Sequence, residues 1–503
     1  MEPIRTQPFA CHFWPKEDAA RNHPGQALIS QVLRGKRVAA IRRLCFNSCQ
    51  GLAIGQSPDA TPARRPLAPW AKTLTRGRRP MDRLLRAVCR GLIRTGNLRI
   101  TTAAGSTFSC GDGAGPPVAI RFASRIAEWR ILTDPELRLG EAYMDGGLVV
   151  EQGSIAEFLD TAVKNLSRIP VPAWSGLLRM SRWLARRLFE HNTLGRARRN
   201  AIHHYNIDHR IYRMFLDADL QYSCAYFENN SASLDQAQLA KKRHIAAKLL
   251  LKPGLRVLDI GSGWGGLDLD LARNAKVSVV GINLSDEQVR IARHRAAAEG
   301  LACEFRIQDY RTVSEKFDRI VSVGMFEHVG RRHYDAFFHK CRDLLTDDGL
   351  MLLHTIGRWD GPSETNPWVR RYIFPGGYTP ALSELAPVIE RSGLIVSDIE
   401  VLRLHYAQTL CAWRINFLAH RDEVNRLFDE APDLKERFGS ADRFIRMWEY
   451  YLAGFEASFR YYGLVVFQIQ LLKSIEAAPL TRDYVYRGRS DVDSSAGLAE
   501  AAE

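Results

Sequence analysis

The residues with most to offer chemically lie in one stretch and at the ends of the segments around it. Arg256-Val257-Leu258-Asp259-Ile260-Gly261-Ser262-Gly263-Trp264-Gly265-Gly266-Leu267 joins a short apolar run to a glycine-rich turn. Such a turn lets the backbone approach a ligand before a helix begins near Leu267, as in nucleotide-type binding loops. Downstream, Asn283 ends the apolar run 277–282, Asp309 follows the run 303–307 and Glu327 follows 318–323. His354 lies within 349–356, and Tyr406 enters a turn near the expected edge of the sheet. Upstream, Tyr222-Ser223-Cys224-Ala225-Tyr226-Phe227 sets polar groups among aromatics. Cys224 has no base beside it and reads by itself as a small buried apolar residue. Singly these are more often hydrogen-bonded packing residues; gathered round a glycine loop they point to a site.

Glycines at 261, 263 and 266 also fit the dinucleotide fingerprint, which many α/β proteins satisfy through a tight turn alone. A nicotinamide site would end its second strand with an acid for the ribose hydroxyls, and Asn283 stands there instead. Asp259 two residues before the first glycine, with Asp309 after the third strand, resembles the spacing of class I methyltransferases, which implies S-adenosylmethionine held by strand-end polar groups.

The elements that must position these groups alternate from Gln238 onward. A helix runs to Leu251, then strand 257–260, a helix from 267, strand 277–282, helix 286–298, strand 303–307, strand 318–323, helix 332–345 and strand 349–356. That alternation predicts a doubly wound parallel sheet whose ligand crevice lies beyond the strands' carboxyl ends. Helix 382–392 and strands 395–404 and 409–412 are expected to complete it, and the aromatic-rich run 444–472 reads as one long helix.

Length and charge bound the rest. The 503 residues suffice for two or three domains, and the net charge of +14 favours an anionic partner, either nucleic acid or an acidic membrane surface. Nine cysteines without framework spacing suit a reducing compartment; Cys45 and Cys49 with distant His12 make a poor zinc site, so no metal is expected. No apolar run approaches the roughly 20 residues that span a bilayer. Lys16, Glu17 and Asp18 interrupt any signal-like core, and the expected location is cytoplasmic.

Residues 1–80, with scattered prolines and basic pairs, read as a disordered extension, and Met81 as the natural start. Residues 81–170 read as a small α+β domain: a helix carrying Arg83, Arg86, Arg90 and Arg94 in one stripe, strands 96–107 and 118–123 around the turn 111–117, and helices near 139–146 and 155–166. Residues 171–200 form a basic helical linker with a helix at 174–189, residues 201–478 the catalytic domain, and 479–503 a disordered tail. No groove-reading motif or zinc finger accompanies the basic helices, so phospholipid headgroups are the favoured partner and Arg83, Arg86 and Arg90 the expected membrane contacts.

Together, Tyr222-Ser-Cys-Ala-Tyr-Phe227, Val257-Leu-Asp-Ile-Gly-Ser-Gly-Trp-Gly-Gly266, Gln308-Asp-Tyr-Arg311, Phe317-Asp-Arg-Ile-Val-Ser-Val-Gly-Met-Phe-Glu-His-Val-Gly330 and His405-Tyr-Ala-Gln-Thr-Leu410 resemble the cyclopropane-fatty-acyl-phospholipid synthases and their mycolic acid relatives, from about residue 82 to about 475. The resemblance implies a class I methyltransferase (Rossmann-like) doubly wound sheet with a smaller N-terminal α+β lipid-binding domain. It implies that Tyr222, Ser223, Gly261, Gly263, Asn283, Gln288 and Asp309 bind S-adenosylmethionine. It further implies that Cys224, Glu327, His354, Tyr406 and the backbone of Ile356 cradle bicarbonate, overturning the reading of Cys224 as mere core. The segment before them departs from the family pattern at Asn206 and His209, where members often carry aspartate and asparagine.

The implied reaction is cyclopropanation of cis double bonds in membrane phospholipid acyl chains. A cis alkene is a feeble nucleophile and needs the sulfonium methyl held close and in line. The resulting cation closes a ring only when a proton is removed, for which a gripped bicarbonate is the expected base. Tyr226, Phe227 and Tyr372 offer ring faces for the cation or walls for the acyl chain. Three alternatives stand beside it: methyl or methylene branching without ring closure, a non-catalytic lipid sensor, and nucleic-acid methylation, for which the Asn-Pro-Pro-Tyr-type base-gripping segment is missing. The expected partners are an anionic phospholipid surface at the inner face of the membrane, unsaturated acyl chains, and a second copy of the chain as a candidate; nucleic acid is not expected.

Overall fold

The computed structural model describes residues 79–167 and 208–486. The extension before 79, the basic linker with its expected helix, Asn206 and residues 487–503 lie outside the described residues. The start of the expected disordered tail, 479–486, is packed: Val485 is buried and Tyr484 donates to Gln470 at 2.9 Å.

The first part runs α1 (Arg79–Leu92), β1 (Asn97–Thr101), β2 (Thr107–Cys110), β3 (Pro117–Phe122), α2 (Arg125–Thr133), α3 (Pro135–Met144), β4 (Leu148–Gln152) and α4 (Ile155–Leu166). Its strands form a four-stranded sheet in the order β2-β1-β3-β4. The strand expected over 96–107 is two strands: Gly105, at φ +84, turns the chain so that Thr101 pairs with Thr107 in an antiparallel hairpin. Leu85, Leu98, Ile100, Val118, Ile120, Phe158 and Leu159 make this sheet's core.

The second part runs α5 (His209–Phe215), α6 (Leu234–Lys248), β5 (Arg256–Ile260), α7 (Gly266–Ala275), β6 (Ser278–Asn283), α8 (Asp286–Glu299), β7 (Cys303–Ile307), β8 (Phe317–Val323), α9 (Tyr334–Leu344) and β9 (Leu345–Arg358). It continues through α10 (Pro367–Tyr372), α11 (Leu382–Ser392), β10 (Ile395–Leu402), α12 (His405–Ala419), α13 (Arg421–Glu430), α14 (Pro432–Phe438), α15 (Ala441–Tyr461) and β11 (Leu464–Leu472). The seven strands lie in the order β10-β11-β9-β8-β5-β6-β7. The chain steps outward from β5 through β6 to β7, then returns to β8 on the other side of β5. The crevice of such a sheet falls at that reversal, between the carboxyl ends of β5 and β8.

Two expectations at the sheet's far edge are corrected. Residues 409–412 are not a strand but part of α12, whose buried Tyr406, Ala407, Thr409, Leu410, Trp413 and Phe417 follow the helical period. The run 444–472 is not one helix: α15 stops at Tyr461, Gly463 turns at φ +73, and β11 follows, antiparallel to both β9 and β10. The sheet is therefore mixed, not purely parallel. Every residue of β11 is buried, so it lacks the alternation that distinguishes a half-exposed strand from a helix.

Helix α15 holds the two parts together. Its Ala453 belongs to the core of the small sheet, while Trp448, Tyr451 and Leu452 belong to the aromatic core beneath the large one. Tyr143 donates to Glu449 at 2.7 Å, and the indole of Trp368 lies against Gly140 so closely that a Cβ there would meet ring atoms at 2.5–2.8 Å. Gly140→Ala is expected to destabilise the fold by about 1–3 kcal/mol through overpacking. Gly454→Ala on α15, where a Cβ meets only Leu159 at 3.9 Å, should instead be neutral or stabilising. Urea unfolding of both variants checks the pair, and equal midpoints would refute the tight approach of Trp368.

Candidate active site

The turn after β5 is shaped by what crowds it. Gly261 adopts φ +102, and a Cβ there would lie 2.7 Å from that of Met325; Gly263, at φ +55, faces open space within the cleft. The amides of Gly261 and Ser262 both donate to Ile282 O, which pins the loop to β6. Beyond it opens a cleft of about 1170 Å³, counted out to its mouth. All seven residues expected to hold the cofactor line it: Tyr222, Ser223, Gly261, Gly263, Asn283, Gln288 and Asp309.

Their side chains are already organised. Asn283 Nδ2 donates to Gln288 Oε1 at 2.8 Å, while its Oδ1 accepts from the amide of Leu284 at 2.7 Å. Asp309 is held by Arg311 through Nε at 2.8 Å and Nη2 at 2.7 Å. The Tyr222 hydroxyl pairs with that of Tyr451 at 3.1 Å, and its ring stacks on Trp413. Ser223 Oγ accepts from Lys241 at 2.8 Å. Asp259 and Asp268 form a buried acid pair beneath the loop, both pushed above the usual carboxylate range by burial.

Behind the cleft sit the residues expected to cradle an anion. Glu327 lies in a 3-10 turn, Phe326–His328, after β8; its Oε1 accepts from the Ile356 amide at 2.6 Å, and its Oε2 is buried without a hydrogen bond. The Ile356 amide thus orients Glu327. Burial, opposed by that bond, pushes the Glu327 carboxyl up to about 7. His354, two residues away on β9, is 2 % exposed and lies with Nδ1 3.1 Å from Gln468 Nε2 on β11. Burial, reinforced by the ammoniums of Lys241 and Lys248, pushes it down to about 3, so the ring is neutral. Cys224 is buried, its thiol pushed up by burial and donating to Ala225 O at 3.3 Å. Tyr406 starts α12, beside Trp413 and Phe459. The Ala225 amide donates to Thr409 Oγ1 at 3.0 Å, tying the Cys224 segment to the same helix.

Three more residues singled out in the sequence have defined partners. Tyr226 is stacked with the imidazoles of His244 and His405, at 4.3 and 4.7 Å between ring centres. The Tyr372 hydroxyl donates to Glu141 in the small domain, and its ring lies beside Trp368. His209 bonds Glu287 at 2.8 Å.

Sequence reasoning missed Lys241. It is fully buried, donates to Gln221 Oε1 at 2.6 Å as well as to Ser223, and is pushed down to about 8 by burial. Its ammonium pulls the Cys224 thiol, the Asp259 carboxyl and the His354 imidazole alike downward. Gln468 and Lys248 were also missed. The readable signal is on α6, where Gln238, Lys241, His244 and Lys248 recur at steps of three, three and four, a polar stripe that is buried.

A cleft at the β5/β8 reversal, floored by a glycine loop and rimmed by strand-end polar groups, belongs to the class I S-adenosylmethionine-dependent methyltransferases, and this protein is one. Solved structures agree: the cyclopropane synthase MmaA2 from Mycobacterium tuberculosis matches with a TM-score of 0.50 and 29% identity, over 55% of this chain and 98% of that one. The chain belongs to the mycolic acid cyclopropane synthetase family, which it matches over residues 192–469. A domain family of unknown function matches residues 93–169. The chain is 37% identical to the cyclopropane-fatty-acyl-phospholipid synthase of Escherichia coli (strain K12), over 72% of this chain and 89% of that protein. It is 36% identical to the S-adenosylmethionine-dependent methyltransferase UmaA of Mycobacterium tuberculosis (strain ATCC 25618 / H37Rv), over 45% of this chain and 84% of that one.

The position of Glu327 makes a pH prediction. Its carboxyl titrates higher in the fold than in the unfolded chain, so its contribution to stability is complete below 4.5 and is lost as pH rises through about 7. Against the non-titrating Glu327→Gln, the wild type should lose roughly 3 kcal/mol across that window. Urea midpoints of both proteins at weakly acidic and weakly alkaline pH measure it; a gap that does not change with pH would show Glu327 to be an ordinary carboxylate.

Proposed function

We propose that this protein converts cis double bonds of phospholipid acyl chains into cyclopropane rings, with S-adenosylmethionine as one-carbon donor and bicarbonate held beside the reacting carbon. The observation that carries the reading is Glu327: a buried carboxyl fixed by Ile356, with one oxygen accepting no hydrogen bond, beside a neutral His354 and behind a cofactor-sized cleft. A carboxyl displaced to about 7 is half protonated near neutrality, so it can donate to an anion where an ionised one would repel it. The orphaned oxygen and the neutral donors around it fit a small oxyanion.

When bound, S-adenosylmethionine would supply an electrophilic methyl and bicarbonate a base for the proton released on ring closure. The chain's own residues do the positioning. Gly261, Gly263, Asn283 and Asp309 shape and rim the cofactor cleft, while Tyr222 and Ser223 line its near wall. Glu327, His354, Cys224 and Tyr406 are the proposed anion holders. Tyr222, Tyr406, Trp413 and Phe459 make an aromatic wall that would seat an acyl chain and exclude water from the reacting carbon.

Residues 81–170 are proposed as a lipid-binding domain and 201–478 as the catalytic one. The support for membrane attachment is α1, where Arg83 and Arg90 are exposed. Arg86 lies over the Phe108 ring, 5.1 Å from its centre. Among the described residues no helix is long and apolar enough to cross a membrane, and peripheral attachment to the anionic inner face, with a homodimer as a candidate assembly, completes the reading.

Purified protein given S-adenosylmethionine and vesicles of unsaturated phospholipid should add the mass of one CH2 per modified double bond, and chromatography should identify a ring. A branched product would move the assignment to methyl or methylene transfer; no mass gain by cofactor-bound protein would end it. Reversing the charge of Arg83, Arg86 and Arg90 should weaken binding to anionic vesicles and flatten its salt dependence. Equal binding by the variant would remove α1 from the membrane contact.

A further inference from the structure

A neutral imidazole carries one proton, and the nitrogen that holds it decides whether the ring donates or accepts toward its free side. For His354 the neighbours determine the answer. Lys248 is fully buried at the end of α6, and its Nζ donates to Gln468 Oε1 at 2.8 Å and to Glu400 Oε2. An ammonium has protons and no lone pair, so the atom of Gln468 that meets it must be the carbonyl oxygen. The amide nitrogen is then the atom 3.1 Å from His354 Nδ1. That nitrogen only donates, hence Nδ1 accepts and the proton sits on Nε2.

The device is rigid. Gln468 is fully buried, and Gln470 Nε2 donates to Lys248 O at 2.6 Å. Glu400 is also bonded by His244 Nε2 at 2.6 Å and, although burial opposes ionisation, its partners hold it down at about 2, a fixed anion opposite the Lys248 ammonium. The contact with Gln468 engages Nδ1 of His354 and leaves Nε2 as the other polar edge of the ring.

We infer that the Lys248–Gln468 pair is a positioning device that fixes His354 as its Nε2–H tautomer and so presents a hydrogen-bond donor to a small anion beside Glu327. The tautomer follows from the hydrogen-bond chemistry alone; the anion rests on the proposed function. Lys248 and Gln468 act through His354, which alone would touch the anion.

The experiment has two readouts. Protein labelled with 13C and 15N at histidine reports the tautomer by NMR, with the His354 signal assigned by its loss in His354→Asn. The wild type should show a proton on Nε2 that does not titrate near neutral pH; a proton on Nδ1 would overturn the inference whatever the variants do. In Gln468→Glu the new carboxylate should draw the proton to Nδ1. The bicarbonate concentration giving half-maximal turnover in CO2-depleted buffer should then rise about tenfold, the worth of one hydrogen bond to a charged group. S-adenosylmethionine binding, measured by calorimetry, should stay unchanged.

An unchanged bicarbonate requirement in a variant whose tautomer has moved would overturn the donor role. A wild type indifferent to bicarbonate, yet protonated on Nε2, would overturn the proposed anion and uphold the tautomer. Should Gln468→Glu fail to fold, Lys248→Met frees the amide to rotate and should yield a mixture of tautomers; a pure Nε2–H signal there would overturn the role of Lys248.

Discussion

Two ammonium groups carried into the interior by α6 govern the arrangement of the site. A buried cation without partners costs several kcal/mol, so each lysine must find acceptors wherever the fold puts it. Lys241 takes Ser223 and Gln221, which fixes the segment forming the near wall of the cleft. Lys248 takes Glu400 on β10 and Gln468 on β11, the strands added beyond the parallel part of the sheet. One helix therefore sets both the wall against which the cofactor would lie and the orientation of the imidazole behind it. An ordinary surface helix would do neither.

The aromatic core answers a different need. Tyr212, Phe215, Trp264, Trp413 and Trp448 pack in one cluster with Cys224 and Tyr406, so the polar groups behind the cleft are bedded in hydrocarbon and rings. That setting raises Glu327 and Cys224 and lowers His354, all by disfavouring charge. It also gives the apolar surroundings an acyl chain requires. Helix α15 runs through this cluster and on into the core of the small sheet, so the aromatic wall and the N-terminal domain rest on a common support.

The parts of this architecture legible in sequence are those with local signatures. Strands β5, β6 and β8 are mainly apolar and the edge strand β7 alternates apolar with charged residues, each bounded by glycine or polar residues, and the turn at Gly261 follows from its neighbours. The seven residues expected to hold the cofactor were named through the resemblance, and all seven line one cleft. By contrast, β11 has no outward face to mark it, and the short stretch at Thr409 looks like a strand until the fifteen residues of α12 are taken together. The hairpin in the small domain was hidden because a turn at Gly105 divides what looked like one run. Gln468 lies 114 residues from His354 and Lys241 18 from Ser223, and hydrogen bonds across such distances leave no trace in composition or period.

Neutrality around Glu327 and His354 would have a chemical rationale in the proposed reaction. A carbocation forming beside a thiolate or a permanently charged carboxylate would be captured by it, ending the reaction in a covalent adduct. A neutral thiol and a carboxyl near its midpoint are much weaker nucleophiles than their anions, and the lone pair of the neutral imidazole is engaged by Gln468, yet each group is a hydrogen-bond donor or can become one. Burial removes charge, and partner choice decides where the remaining protons point: Ile356 holds one oxygen of Glu327, Gln468 holds one nitrogen of His354. Under the proposed function, such a pocket would grip a mobile anion without competing with it for the cation, and the desolvation around these residues would serve the chemistry as well as the packing.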